Sequence, residues 1–210
     1  MKLEVEIISD VICPWCFIGK RRFESALRRL PGVETQVRWL PFQLNPAMPP
    51  GGMERRLYRT RKFGSWEQSK ALDAQLVLAG AGERIAFAFD RIERTPNTFD
   101  AHRLIWLAGE QGIQDAIVEA LFQAYFVEAR DIGDRNVLRA VAAGAGLETA
   151  GFFESGRGAR EVQAEESWAR SEGIQGVPLF VINGTEVISG AQNPETIAVA
   201  LNRAARTVAR

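Results

Sequence analysis

Cys13-Pro14-Trp15-Cys16 decides the fold of this 210-residue chain because of what stands on either side of it. Before it, Leu3-Glu4-Val5-Glu6-Ile7-Ile8-Ser9 alternates apolar and acidic residues and then turns continuously apolar, as a strand entering a core does. After it, Phe17 to Leu30 reads as a helix. Cys16, Lys20, Phe23, Leu27 and Leu30 recur at helical spacing, and Pro31-Gly32 stops the run. Val33 to Pro41 alternates again and reads as a second strand. Strand, turn, helix, strand is a βαβ unit with both cysteines at its first turn.

If the helix starts at Pro14, Cys13 is its N-cap and Pro14 occupies the first helical position, where a missing N–H costs nothing. The Cys13 sulfur is then expected to face the free N–H groups of Trp15 and Cys16 and the positive end of the helix dipole. Both lower a thiol pKa below its free value of about 8.5. Cys16, three residues on, shares that helical face and can close a disulfide with Cys13. The chemistry this spacing supports is attack by Cys13 on a disulfide and resolution of the mixed disulfide by Cys16, with Pro14 and Trp15 tuning the pair. Zinc wants four ligands, and the chain adds one histidine, His102, to these two cysteines, so no metal is expected.

Composition narrows the class. The two cysteines are a local redox device and not the framework of a secreted scaffold. Apolar residues are 46% and charged ones 25%, the make-up of an ordinary globular protein with one large domain or one domain and an insert. Lys+Arg (26) balance Asp+Glu (26), which argues against nucleic acid as a partner. No apolar run approaches the roughly 18 residues of a membrane span. Acids interrupt the start where a leader would be apolar. A cytoplasmic protein with no membrane partner is expected; oligomeric state is not legible.

Asn45-Pro46-Ala47-Met48-Pro49-Pro50-Gly51-Gly52 is a loop. Beyond it helical patterns dominate to about Gly173: Trp66 to Ala81, Thr98 to Glu110 with Asn97 as N-cap, Ile113 to Ala129, Asp134 to Ala145 and Glu161 to Ser171. Arg55, Arg56, Arg59, Arg61 and Lys62 read as a solvated helix face. After Gly176-Val177-Pro178 comes the apolar strand Leu179 to Ile182. Asn183-Gly184 signals a hairpin, Thr185 to Ser189 is its partner, and Pro194 to Ala205 is a closing helix. The order is βαβ, helical block, ββα: an α/β thioredoxin fold interrupted by a large all-helical insert. Residues 1–44 and 174–210 are expected to form the thioredoxin-like domain and 45–173 the helical insertion subdomain.

Ser9-Asp10-Val11-Ile12-Cys13-Pro14-Trp15-Cys16-Phe17-Ile18-Gly19 resembles the DsbA-like thioredoxin-fold oxidoreductases, and their FrnE branch most of all. So do Pro96 to Leu104, Ala124-Tyr125-Phe126, Gly176 to Val181 and Ser189-Gly190-Ala191-Gln192. The resemblance implies a thiol–disulfide oxidoreductase or isomerase acting on a disulfide-containing protein or peptide or on a small thiol. It also implies a cis Val177–Pro178 bond beside Cys13 and a Val177 backbone that pairs with bound peptide. The helical block would cap the active site, its central helix bringing Asn97, Thr98 or His102 to the cleft mouth beside Trp15. Val177, Pro178 and Gln192 complete the expected substrate contacts. No cofactor is implied, with glutathione a candidate co-substrate.

Two departures from that family stand out. Ile7 occupies the place of thioredoxin's buried carboxylate, which leaves water, Asp10 or His102 to take the Cys16 proton. Trp15 stands where secreted members carry histidine, so a couple less oxidising than roughly −120 mV is expected. The bland reading of His102 is a helix residue packed between Phe99 and Trp106. The alternative activity is a glutathione-dependent isomerase or transferase of the 2-hydroxychromene-2-carboxylate isomerase/kappa type. That branch has serine at the Cys13 position and Gly-x-Asp-Arg where Gly190-Ala191-Gln192-Asn193 stands. A binding module with incidental cysteines is the third class.

Overall fold

A computed structural model describes residues 2–208. The first strand, β1 (Lys2–Ser9), leads through a tight turn into α1 (Pro14–Arg28) and returns as β2 (Glu34–Pro41). At the other end of the chain β5 (Leu179–Ile182) and β6 (Glu186–Ser189) form the hairpin, and α8 (Pro194–Val208) follows. The four strands make one sheet in the order β2-β1-β5-β6, with β1 parallel to β2 and antiparallel to β5. The ends of the sequence thus meet at the centre of one sheet.

Registers explain which side chains face which layer. Val5 and Ile7 lie opposite Val37 and Trp39 on β2 and opposite Ile182 and Phe180 on β5. That face is buried under α1 and α8, with Phe23 stacked on Phe180 at 5.6 Å. The other face, through Ile8, Leu40 and Phe42, packs against Ala169 on α7 (Ala159–Ser171). Both faces of β5 have apolar neighbours, which is why its sequence is an unbroken apolar run.

Between β2 and β5 the chain also forms α2 (Arg55–Phe63), α3 (Trp66–Gly82), α4 (Phe99–Gly109), α5 (Gln114–Phe122) and α6 (Arg135–Gly144). The sequence reading passed over a ribbon here, β3 (Met53–Glu54) paired with β4 (Arg94–Thr95). Two residues a side carry no periodic signal. Glu54 and Ser65 cap α2 and α3 through their side chains. Asn97 is not the N-cap expected of it. Thr98 holds that place, and the Asn97 carboxamide accepts from Phe99 N at 2.9 Å, an Asx turn one residue early. The expected helix from Ile113 to Ala129 ends at Phe122 and winds on as a π turn over Gln123–Val127.

The helix that carries the cysteines is pinned by charge as well as by packing. Lys20 stands in its apolar stripe and is buried. It can be, because Glu24, Asp115 (3.2 Å) and Glu119 (3.1 Å) converge on its ammonium. Phe17, one turn earlier, stacks on Phe122 at 4.9 Å and fastens α1 to α5.

Candidate active site

α1 begins at Pro14, with Cys13 as N-cap in extended geometry (φ −91°, ψ 111°). The Cys13 sulfur does not face the Trp15 and Cys16 N–H groups as expected. It makes no capping bond; instead the thiol donates to the Val177 carbonyl across 3.6 Å. A protonated sulfur is a donor, so an acceptor suits it better than another N–H. Cys16 N instead donates to the Cys13 carbonyl at 3.0 Å. The Val177–Pro178 peptide is cis, and Pro178 is buried against α1 at Gly19. A β-carbon on Gly19 would come within 2.9 Å of Pro178 Cγ, so glycine lets this loop seat beside the cysteines.

The two sulfurs, both free thiols, have different surroundings. Cys13 is 6% exposed and opens on a cavity; Cys16, at 1%, is sealed in. Burial pushes the Cys16 thiol well above its ordinary range, and the hydrogen bond and charge of Cys13 add to this. The Ser9 hydroxyl and the Asp10 backbone partly offset it. Asp10 is wholly buried. Its carboxylate accepts from Leu44 N at 2.8 Å and from Ile12 N at 3.4 Å, and its carbonyl accepts from Cys13 N at 3.0 Å. One aspartate thus binds the redox turn to the segment after β2.

His102 belongs to this sealed side. It is buried on α4, with Nε2 3.4 Å from Asp10 Oδ1 but not aligned for a hydrogen bond. With Ser9, Trp39 and Trp106 it lines a void of about 10 Å³. The α4 helix therefore does not bring Asn97, Thr98 or His102 to the cleft beside Trp15. Asn97 Nδ2 is turned to the Met48 carbonyl (2.6 Å), and Thr98 is buried. Gln192 donates to Ser189 O within its own turn and also lies off the cavity. The reason is packing: α4 lies against β2, and none of its residues lines the cavity on which Cys13 opens.

The wall facing Cys13 and Trp15 is made by α2, α3 and the π turn. Together they enclose about 260 Å³ lined by Arg55, Tyr58, Arg59, Lys62, Phe63, Leu72, Tyr125 and Phe126, among others. The basic run read as a solvated face is in part this wall. Arg55 is buried on Asp73 (2.8 Å), and Arg59 reaches Asp73 (2.5 Å) and Ser69 Oγ (2.7 Å). Aromatics among the cations were the available signal. The π turn sets both Tyr125 and Phe126 on the lining, a use such turns commonly have near functional sites.

Residues 4–202 match the family model described as a DSBA-like thioredoxin domain. The chain belongs to the DsbA-like thioredoxin family. It is therefore a thiol–disulfide oxidoreductase. The solved structure of the probable DsbA oxidoreductase SCO1869 from Streptomyces coelicolor is 36% identical, with a TM-score of 0.88 over 97% of this chain and 90% of that one. The Bacillus subtilis (strain 168) protein YwbO is 28% identical over 96% of this chain and 97% of its own length. The cytosolic disulfide reductase DsbM from Pseudomonas aeruginosa shares the fold at 19% identity and a TM-score of 0.64, covering 97% and 99% of the two chains. Among the described residues no helix is long and apolar enough to cross a membrane.

Proposed function

We propose that this member of the family exchanges disulfides in the cytoplasm, with Cys13 as nucleophile and Cys16 as resolving thiol. The unequal setting of the two sulfurs carries the reading: one opens on the cavity beside Trp15, the other is sealed beneath the turn with its proton held by burial. Cys13 thiolate attacks a substrate disulfide, breaks the S–S bond and releases one substrate thiolate. Cys16 then loses its proton and attacks Cys13 Sγ, releasing the second thiolate. The substrate has gained two electrons, and the Cys13–Cys16 disulfide has stored their loss until a thiol such as glutathione reduces it. Run backwards, the same steps deliver a disulfide outward. Ile7 offers no carboxylate to take that proton, and the Ser9 hydroxyl eases its loss by favouring the Cys16 thiolate. Val177 and Pro178 hold the incoming disulfide across the turn, a backbone pairing suited to a peptide.

Cys16→Ser should accumulate a mixed disulfide with substrate, and Cys13→Ser should accumulate none. Mass spectrometry of non-reduced protein reads both. Equal trapping by the two variants would overturn the assignment of roles.

A further inference from the structure

The cavity beside Cys13 has a charge that the rest of the chain lacks. The chain as a whole is neutral, with 26 basic and 26 acidic residues. Among the described residues, the cavity lining holds Arg55, Arg59 and Lys62 and no acidic residue. Asp73, behind the wall, meets both arginines and offsets one charge of the three. Arg59 is held below the ordinary guanidinium range by burial and, after the opposing pull of Asp73, by Arg55 beside it, so this wall resists its own positive charge.

A donor is left over as well. Lys62 Nζ donates to Tyr58 Oη (2.8 Å), and Tyr58 Oη donates its own proton to Asn45 Oδ1 (2.6 Å). That chain fixes the amide orientation of Asn45, a lining residue, and leaves its buried Nδ2 with no partner. A buried donor without an acceptor is costly, typically about 1–3 kcal/mol. The remaining lining is apolar and aromatic, with Phe63, Leu72, Leu76, Phe89 and Phe126 around the floor. At about 260 Å³ the space is at the small end for an organic ligand.

We infer that this cavity is a specificity site for a small thiol or disulfide whose sulfur is borne on an apolar, aromatic-sized body carrying a carboxylate. The ring occupies the Phe63–Leu72–Phe126 floor, the carboxylate meets Lys62, Arg59 and Asn45 Nδ2, and the sulfur lies toward Cys13. The inference rests on Cys13 being the nucleophile and adds which substrate it meets. Attack on such a disulfide forms a bond between Cys13 Sγ and one aryl sulfur and releases the other aryl thiolate, and Cys16 then frees the first. A tripeptide thiol, polar along its whole length and carrying an ammonium, would not fill the apolar floor.

Two matched disulfides test this: bis(4-carboxyphenyl) disulfide and its bis-carboxamide, reduced by the full-length protein under steady-state conditions with glutathione regenerating the Cys13–Cys16 dithiol and the protein-free rate subtracted. The expected result is a kcat/KM at least about tenfold higher for the acid, a preference that shrinks as salt rises from about 0.02 to 0.5 M. Lys62→Glu, at an exposed position, should remove at least about tenfold of that preference, and Asn45→Asp should lower it too. Equal rates for acid and amide, with the protein active, would overturn the inference and leave the role of Cys13 standing. Failure to reduce either disulfide would overturn the role of Cys13. In that case binding of 4-(methylthio)benzoate against its amide, by calorimetry, decides the cavity by itself: equal or absent binding overturns it, and a preference for the acid lost in Lys62→Glu upholds it.

Discussion

Cys13 and Cys16 stand three residues apart on one helix, yet the two sides of that turn are built from different parts of the chain. Beside Cys16 lie Ser9 and Asp10 at the end of β1, and His102 of α4 packs against Asp10 in turn, next to a void of only about 10 Å³. Around Cys13 lie α2, α3 and the π turn, standing off far enough to leave about 260 Å³. The sealed side holds a proton and a rigid turn; the open side offers charge and apolar surface to something from outside. The contrast separates two demands. Resolution of a mixed disulfide needs a buried, fixed thiol, whereas choice of substrate needs an accessible and distinctive wall. Substitutions on the sealed side should therefore cost folding, and those on the open side should cost turnover or selectivity.

The largest effect is expected at Asp10. Asp10→Ala leaves the Leu44 N–H buried without its acceptor, removes the neighbour of His102 and frees the redox turn, which should destabilise the protein by about 3 kcal/mol. Urea unfolding measures it. A loss under about 1 kcal/mol would mean that the sealed side is held by packing alone. Next is Gly19→Ala, whose new methyl would meet Pro178 Cγ at 2.9 Å and press the cis-proline loop away from α1. A cost of about 2 kcal/mol is expected, with disulfide reduction slowed as Val177 moves from Cys13. Unchanged stability and rate would show that the loop can shift freely.

Alkaline pH probes the same contrast more gently. The folded Cys16 thiol keeps its proton to a higher pH than an unfolded one, so above about pH 8.5 the unfolded chain binds fewer protons and gains relative stability. The reduced protein should hold this contribution in full below that pH and lose it as pH rises, at up to about 1.4 kcal/mol per unit. Tyr125, likewise raised by burial, adds its own loss above about pH 10. Denaturation midpoints of reduced wild type and Cys16→Ala across that range separate the two. If their pH dependences coincide between about 8.5 and 10, Cys16 is not the sealed group. The smallest effect belongs to the open side. Trp15 is 42% exposed, and Trp15→Phe should change stability by no more than about 0.5 kcal/mol while altering the rate with disulfide substrates.

Much of the thioredoxin half is legible because its signals are local. Alternation marks β1 and β2, Pro14 and Pro31-Gly32 bracket α1 to within a few residues, and Asn183-Gly184 marks the closing hairpin. The pairing of Cys13 with Cys16 needs four residues and no fold. The wall of the cavity is harder, because Arg55, Tyr58, Arg59 and Lys62 have the same helical spacing whether they face water or a cleft.

By itself, then, the sequence determined the redox turn, the order of strands and helices around it and the presence of a long helical insertion, since periodicity and turn chemistry act over a few residues. Only the tertiary structure decided that His102 lies with Asp10 on the sealed side, that Lys20 can be buried among three carboxylates, and that α2 with its cations, and not α4, faces Cys13. Each of these depends on residues far apart in the chain meeting across packed elements. The energy of such a meeting is set by burial and by which charges converge, and neither quantity exists until the chain has folded.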